Sequence, residues 1–103
     1  MKYSIILPCK NEEATIAICI NKIKNILPNA EIIVVDNNSK DNSNKIAQNL
    51  KVKVIKEEKH GYGAALLAGF KKARGNYIIM CDADDTYDLS EIPKLTKFNN
   101  YDL

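Results

Sequence analysis

Asn76-Tyr77-Ile78-Ile79-Met80-Cys81-Asp82-Ala83-Asp84-Asp85-Thr86-Tyr87-Asp88 passes abruptly from apolar to acidic. Tyr77 to Cys81 has the length and residue types of a buried strand, and the run stops at Asp82, Ala83, Asp84 and Asp85. Carboxylates grouped at a strand end repel one another unless a cation lies between them. Hard ions such as Mg²⁺ or Mn²⁺ take oxygen ligands, commonly carboxylates together with substrate phosphates. The stretch therefore reads as a metal that clamps a diphosphate, or as an ordinary turn built on Asp and Thr side chains. The rest of the chain decides between them.

Upstream, the same alternation recurs. Tyr3 to Leu7 is a β-branched run expected to stop at Pro8, and Asn11 is placed to cap a helix whose first turn carries Glu12 and Glu13. Ile16, Ile20, Ile23 and Leu27 recur at helical spacing, closed by Pro28 and Asn29. Glu31 to Val35 is a second apolar run and ends in Asp36. The following loop, Asn37 to Ser43, is dense in turn formers, and Ile46, Ala47 and Leu50 mark a short helix.

Val52 to Ile55 reads as a third strand. All four glycines lie between Gly61 and Gly75. Gly61 and Gly63 flank Tyr62 just before Ala64-Ala65-Leu66-Leu67-Ala68, where glycine permits tight turns and lets a ligand approach a helix start. The spacing matches neither a dinucleotide fingerprint nor a P-loop. Gly69 is expected to allow close helix packing, and Gly75 to cap the helix after Lys71, Lys72 and Arg74. Beyond the acidic stretch, Ser90 is placed to cap a last helix running to about Phe98. Asn99 to Leu103 reads as the approach to a further strand.

Strand and helix in strict alternation predict an α/β fold: a Rossmann-like, three-layer α/β/α arrangement with a mainly parallel sheet. Ligands in such sheets bind beyond the carboxyl ends of the strands. Pro8 to Glu12, Asp36, and Asp82 to Asp84 all follow strands there.

Composition excludes several classes. At 103 residues, 46% hydrophobic and 27% charged, the chain is one ordinary globular domain. A net charge of +2, with Lys and Arg scattered, gives no nucleic-acid footprint. No apolar run reaches the roughly 18 residues of a membrane span, and Met1 to Ser4 leads directly into a strand with no room for a signal peptide. The expected location is the cytoplasm or a cytoplasmic membrane face. Cys9, Cys19 and Cys81, odd in number and without Cys-x-x-Cys spacing, read as reduced thiols.

Ile5 to Glu12, Ile33 to Asp41, Gly61-Tyr62-Gly63-Ala64-Ala65-Leu66 and Asp82-Ala83-Asp84 resemble the successive signatures of GT-A-fold, family 2 inverting glycosyltransferases. The similarity is nearest to the dolichyl- or polyprenyl-phosphate sugar synthases and spans nearly the whole chain. It implies a nucleotide-diphospho-sugar transferase fold, and residues 1–103 as its truncated, donor-binding half.

Carried over, the resemblance gives Pro8, Asn11 and Glu12 to the nucleoside pocket and makes Asp36 the acceptor of a base N–H, which suits UDP- or GDP-linked sugars. Asp82, Ala83 and Asp84 match the Asp-x-Asp motif: Asp82 near ribose and metal, Asp84 the catalytic, metal- and diphosphate-contacting residue, the metal being Mg²⁺ or Mn²⁺. Ser39, counted with the substrate-binding residues, and Asp41 shape the loop after the second strand. Lys10 stands where many relatives have Tyr.

The implied acceptor is a lipid phosphate or a glycan. Membrane-surface association of the full-length protein and self-association through an unpaired sheet edge accompany that reading. Bland roles stand beside these: Asp36 opening an Asx turn, Glu12 serving a helix dipole, His60 a solvated loop residue, Cys9 and Cys81 packing. Two other classes remain open on sequence: a receiver-like Mg²⁺-binding signalling domain, although its acids would follow strands one and three, and a nucleotidyltransferase, although no glycine-rich loop follows strand one.

Overall fold

The computed structural model describes residues 3–81. The expected acidic loop and the helix from Ser90 lie outside the described residues. Four strands, β1 (Tyr3–Cys9), β2 (Glu31–Asp36), β3 (Lys53–Lys56) and β4 (Tyr77–Met80), alternate with helices α1 (Ile16–Ile26), α2 (Ser43–Asn49) and α3 (Tyr62–Lys72). All pairings are parallel and the strand order is β3-β2-β1-β4. The order in which strands are added therefore reverses between β1 and β4, the switch point at which the doubly wound rule puts ligands.

Side chains of a strand alternate between faces, and the core divides accordingly. Ile5, Leu7, Cys9, Ile32, Val34 and Ile79 pack with Ile16, Ile20 and Ile23 of α1 and Ala47 of α2. Ile6, Ile33, Val35 and Ile78 face the other way and pack with Ala65 of α3. Helices thus cover both faces of the sheet, which is why its central strands read as unbroken apolar runs. Gly69 lies where a Cβ would come 2.5 Å from the Ile6 side chain, so α3 sits closer to the sheet than any larger residue permits.

Three expectations are corrected. β1 continues through Pro8 to Cys9. Ile6 offers its carbonyl to Cys81 on the β4 side and Cys9 offers its carbonyl to Asn37 on the β2 side, so the missing Pro8 N–H faces β4. The next bond of the parallel ladder would run from that N–H to the Cys81 carbonyl, so β1–β4 pairing stops at Ile6 with Met80, while β1 goes on pairing with β2 to Cys9 opposite Asp36. Asn11 does not cap α1, which begins at Ile16 after Thr15; no acid occupies its first turn. Gly75 is not the cap of α3, whose last turn ends at an extended Ala73. A Cβ there would lie 2.7 Å from the Ser4 backbone nitrogen, so Gly75 is required by the close passage of β1.

At the amino ends of the strands a buried polar knot ties the sheet. Glu31, its side chain 6% exposed, accepts from Ser4 Oγ at 2.7 Å, from the Arg74 N–H at 2.9 Å and from Lys53 Nζ at 2.8 Å. Gly75 N–H donates back to Ser4 Oγ at 2.7 Å. Burial acts to raise the Glu31 pKa, but the bonds from Lys53, Ser4 and Arg74 together hold it below the ordinary glutamate value.

Candidate functional site

The opposite, carboxyl ends of the strands carry the loops in which the candidate residues lie. β1 and β2 run in register to Cys9 opposite Asp36, with Pro8 opposite Val35, so Pro8 and Asp36 arrive at the same rim. Asp36 is 3% exposed. Its Oδ1 accepts from the Ser39 N–H at 3.0 Å and its Oδ2 from Asn44 Nδ2 at 2.9 Å. Asp36 therefore does open an Asx-type turn. A carboxylate has about four acceptor sites, so two bonds leave capacity for a ligand N–H.

The loop after β1 is bonded to the loop after β2 at successive residues. Asn11, with φ 56°, donates its N–H to Ser39 Oγ at 3.0 Å and accepts from the Lys40 N–H at 2.7 Å. Glu12 N–H donates to Ser43 Oγ at 2.8 Å, and Glu13 N–H to Asp41 Oδ2 at 3.1 Å. Ser43 in turn donates its hydroxyl to Asp41 Oδ1. The Ser43 hydroxyl bond, with the N–H bonds from Ser43 and Glu13, holds the Asp41 carboxyl below its usual range despite slight desolvation.

A third loop, between β3 and α3, is held by Asn37. This residue is 5% exposed. Its Nδ2 donates to the Glu57 carbonyl at 3.0 Å and the Lys59 carbonyl at 2.6 Å, and its Oδ1 accepts from the Gly61 N–H at 3.1 Å. Gly61 has φ 115°, a conformation that excludes ordinary side chains. Asn38, itself at φ 67°, adds a bond to the Glu58 carbonyl at 3.1 Å. His60 is exposed in this loop, its Nδ1 3.5 Å from Asn38 Nδ2.

Between the second and third loops lies a cleft of ≈ 330 Å³, lined by Asp36, Asn38, Ser39, Lys40, Lys56 and the Glu57–Glu58 pair. Of the expected residues, the structure brings Asp36 and Ser39 onto this cleft. Asn11 reaches it only through Ser39 and Lys40; Glu12 is fastened to Ser43 at one side, and its carboxylate lies 3.4 Å from the Thr15 hydroxyl. Pro8 sits on the β1 rim, opposite Val35 and next to Cys9.

Asp82, Ala83 and Asp84 lie outside the described residues, and among the described residues no three His, Cys, Asp or Glu side chains gather as a metal site. Cys9 is buried, and burial, only partly offset by Ser43, pushes its thiol up to about 11. Cys9 and Cys81 are both free, buried thiols.

Sequence reasoning missed Asn37, Ser43 and Asn44 as builders of the site. The signal was present in part: an Asx pair directly after a strand-ending Asp, and a Ser at the start of α2. Among the described residues no helix is long and apolar enough to cross a membrane.

The family model described as glycosyl transferase family 2 matches residues 4–100. A low-salt glycan biosynthesis hexosyltransferase of Haloferax volcanii is 43% identical over 95 residues, which are 89% of this chain and 23% of that protein. A dolichol-phosphate mannosyltransferase of Pyrococcus furiosus is 39% identical over 102 residues, 92% of this chain and 29% of that one. The chain thus spans about a quarter of these relatives. The crystal structure of glucosyl-3-phosphoglycerate synthase from Mycobacterium tuberculosis, in complex with Mn²⁺, UDP and glucosyl-3-phosphoglycerate, superposes with a TM-score of 0.72 at 27% identity, covering 80% of this chain and 33% of that one.

Proposed function

This chain belongs to glycosyl transferase family 2, and from that membership we propose that residues 1–103 form the donor-binding half of an inverting glycosyltransferase that uses a UDP- or GDP-linked sugar. The observation that carries the reading is the cleft under Asp36: a buried carboxylate with spare acceptor capacity, held by Ser39 and Asn44 at the sheet's carboxyl end. Uracil and guanine both present an N–H beside a carbonyl, which a fixed carboxylate recognises.

Asp82 and Asp84 offer a hard, all-oxygen donor set suited to Mg²⁺ or Mn²⁺. A metal bound there supplies Lewis-acid neutralisation of the departing diphosphate. The chain's described residues do the rest of the donor work: Asp36 orients the base, Asn11 and Ser39 fix the loop against which it lies, and Asn37 sets the β3–α3 loop and Gly61.

Transfer is a single in-line displacement at the anomeric carbon, with inversion. The acceptor is a polyprenyl or dolichyl phosphate, the class named for the Pyrococcus furiosus relative. Such a phosphate is already an anion at neutral pH and needs no general base. These residues alone bind donor without transferring it.

The test is calorimetric titration with UDP, GDP, CDP and ADP, with and without Mn²⁺, on the chain and on Asp84→Ala. Manganese-dependent binding of UDP or GDP, lost in Asp84→Ala, is the expected result. Equal binding of all four nucleotides, or binding indifferent to Asp84→Ala, overturns the assignment; robust sugar transfer by this chain alone overturns the half-domain reading.

A further inference from the structure

The outer face of α3 carries a charge and apolar pattern that the donor site does not use. Ala65 and Gly69 turn inward to the sheet and Ala68 packs at the margin of that core, whereas Ala64, Leu67 and Lys71 fall at i, i+3 and i+7 on the side away from it. With Ile55 of β3 they line an open groove of ≈ 320 Å³. Leu67 is 54% exposed, although it lies mid-helix among small residues.

Lys56, Lys59, Lys71 and Lys72 border this groove against one carboxylate, Glu57. Glu57 is turned to its own loop, where Oε2 accepts from the Lys59 N–H at 3.0 Å. All four lysines are exposed, and among the described residues none of their ammonium groups is held by a carboxylate or a carbonyl. The other basic region, at the amino ends of the strands, differs: Lys53 is committed to Glu31 and Lys24 Nζ to the Leu50 carbonyl at 2.7 Å.

An exposed leucine ringed by unengaged lysines is the pattern of a peripheral membrane surface, in which the apolar group enters the headgroup region and the ammonium groups meet anionic lipid. We propose that the outer face of α3, together with edge strand β3, docks this protein on an anionic lipid bilayer. The groove shares Lys56 and Glu57 with the cleft under Asp36, so a bilayer on this face lies alongside that cleft. The inference does not rest on the sugar-transfer reading, because the pattern belongs to α3 and β3 whatever occupies the cleft.

The test is co-sedimentation of the full chain with phosphatidylcholine vesicles and with vesicles of phosphatidylcholine and phosphatidylglycerol, at low and at physiological salt. Binding is expected only to the anionic vesicles and weakens with salt. Lys71→Gln with Lys72→Gln lowers the partition coefficient about thirtyfold, and Leu67→Ser lowers it about fivefold. Lys45→Gln with Lys51→Gln, the same loss of net charge on a different surface, changes it by less than about twofold.

Equal binding to both vesicle types, binding to neither, or equal loss from the Lys45 and Lys51 pair overturns the proposal. So does competition by soluble polyglutamate at least as effective as the vesicles, which reassigns the groove to an acidic protein partner. Titration of the Lys71→Gln, Lys72→Gln variant with UDP and Mn²⁺ keeps this outcome separate from that of the donor site.

Discussion

Glu31→Gln isolates the polar knot at the amino ends of the strands. The substitution keeps the side chain's shape and leaves Oε1 to accept from Ser4 and Arg74, but both bonds lose their charge assistance, about 1 kcal/mol each. It also sets an amide NH₂ against Lys53 Nζ; since the Lys53 side chain is 40% exposed, the lost pair adds at most about 1 kcal/mol. The expected loss is about 2–3 kcal/mol, against a total near 5–15 kcal/mol for a domain. Urea unfolding followed by circular dichroism reads it as a lower midpoint with unchanged slope.

The pH dependence is the sharper part. The folded pKa of Glu31 lies below its unfolded value, so the stability it confers is present above the unfolded pKa and is lost as pH falls through the folded one. Below about pH 4.3 the native chain should therefore lose stability faster than Glu31→Gln, and the two curves should converge. Equal stability at neutral pH, or parallel curves into acid, would refute the reasoning. The UDP binding proposed for the far end of the sheet should not change.

Gly75→Ala drives a Cβ against the backbone of Tyr3 and Ser4 and should cost about 3 kcal/mol, whereas Gly63→Ala meets nothing and should be neutral or gain up to about 1 kcal/mol; thermal unfolding compares them. Asn37→Ala strands the Lys59 carbonyl and the Gly61 N–H and leaves the Glu57 carbonyl only a long 3.4 Å bond from Asn38 Nδ2, for an expected loss of about 2–3 kcal/mol and markedly faster amide exchange at Gly61. Cys9, buried with its thiol pKa near 11, should react with iodoacetamide at pH 8 no faster than the chain unfolds; rapid alkylation of the native protein would contradict its burial.

The fold was legible where burial acts on whole runs. Ile32 to Val35 and Ile78 to Ile79 are apolar on both sides because helices cover both faces of the sheet, and no tertiary detail was needed to read them. The misreadings arose where a local signal met a distant partner. Asn11 with Glu12 and Glu13 has the composition of a helix start, but their backbone N–H groups are taken by Ser39, Ser43 and Asp41 from the next loop. Gly75 looks like a helix cap until β1, some seventy residues earlier in the chain, is brought against it. The end of β1 was misplaced because Pro8 ends the pairing with β4 alone, while Leu7 and Cys9 keep the strand paired to β2 on its other side.

At the site, Asp36 stood out as an acid ending an apolar run. Asn37 did not, since its three partners lie in a loop that sequence proximity does not associate with it. The metal-binding expectation for Asp82 and Asp84 lies outside the described residues and is carried by the family signature.

The bonds that join the loops after β1, β2 and β3 also bear on the thermodynamics of ligand capture. Their ordering entropy was lost when the chain folded, so a nucleotide entering the cleft meets a preorganised wall and need not immobilise it. On the donor-binding role proposed above, nucleotide binding should then be driven mainly by enthalpy, with a small entropic penalty and a heat-capacity change no larger than burial of one base and ribose implies.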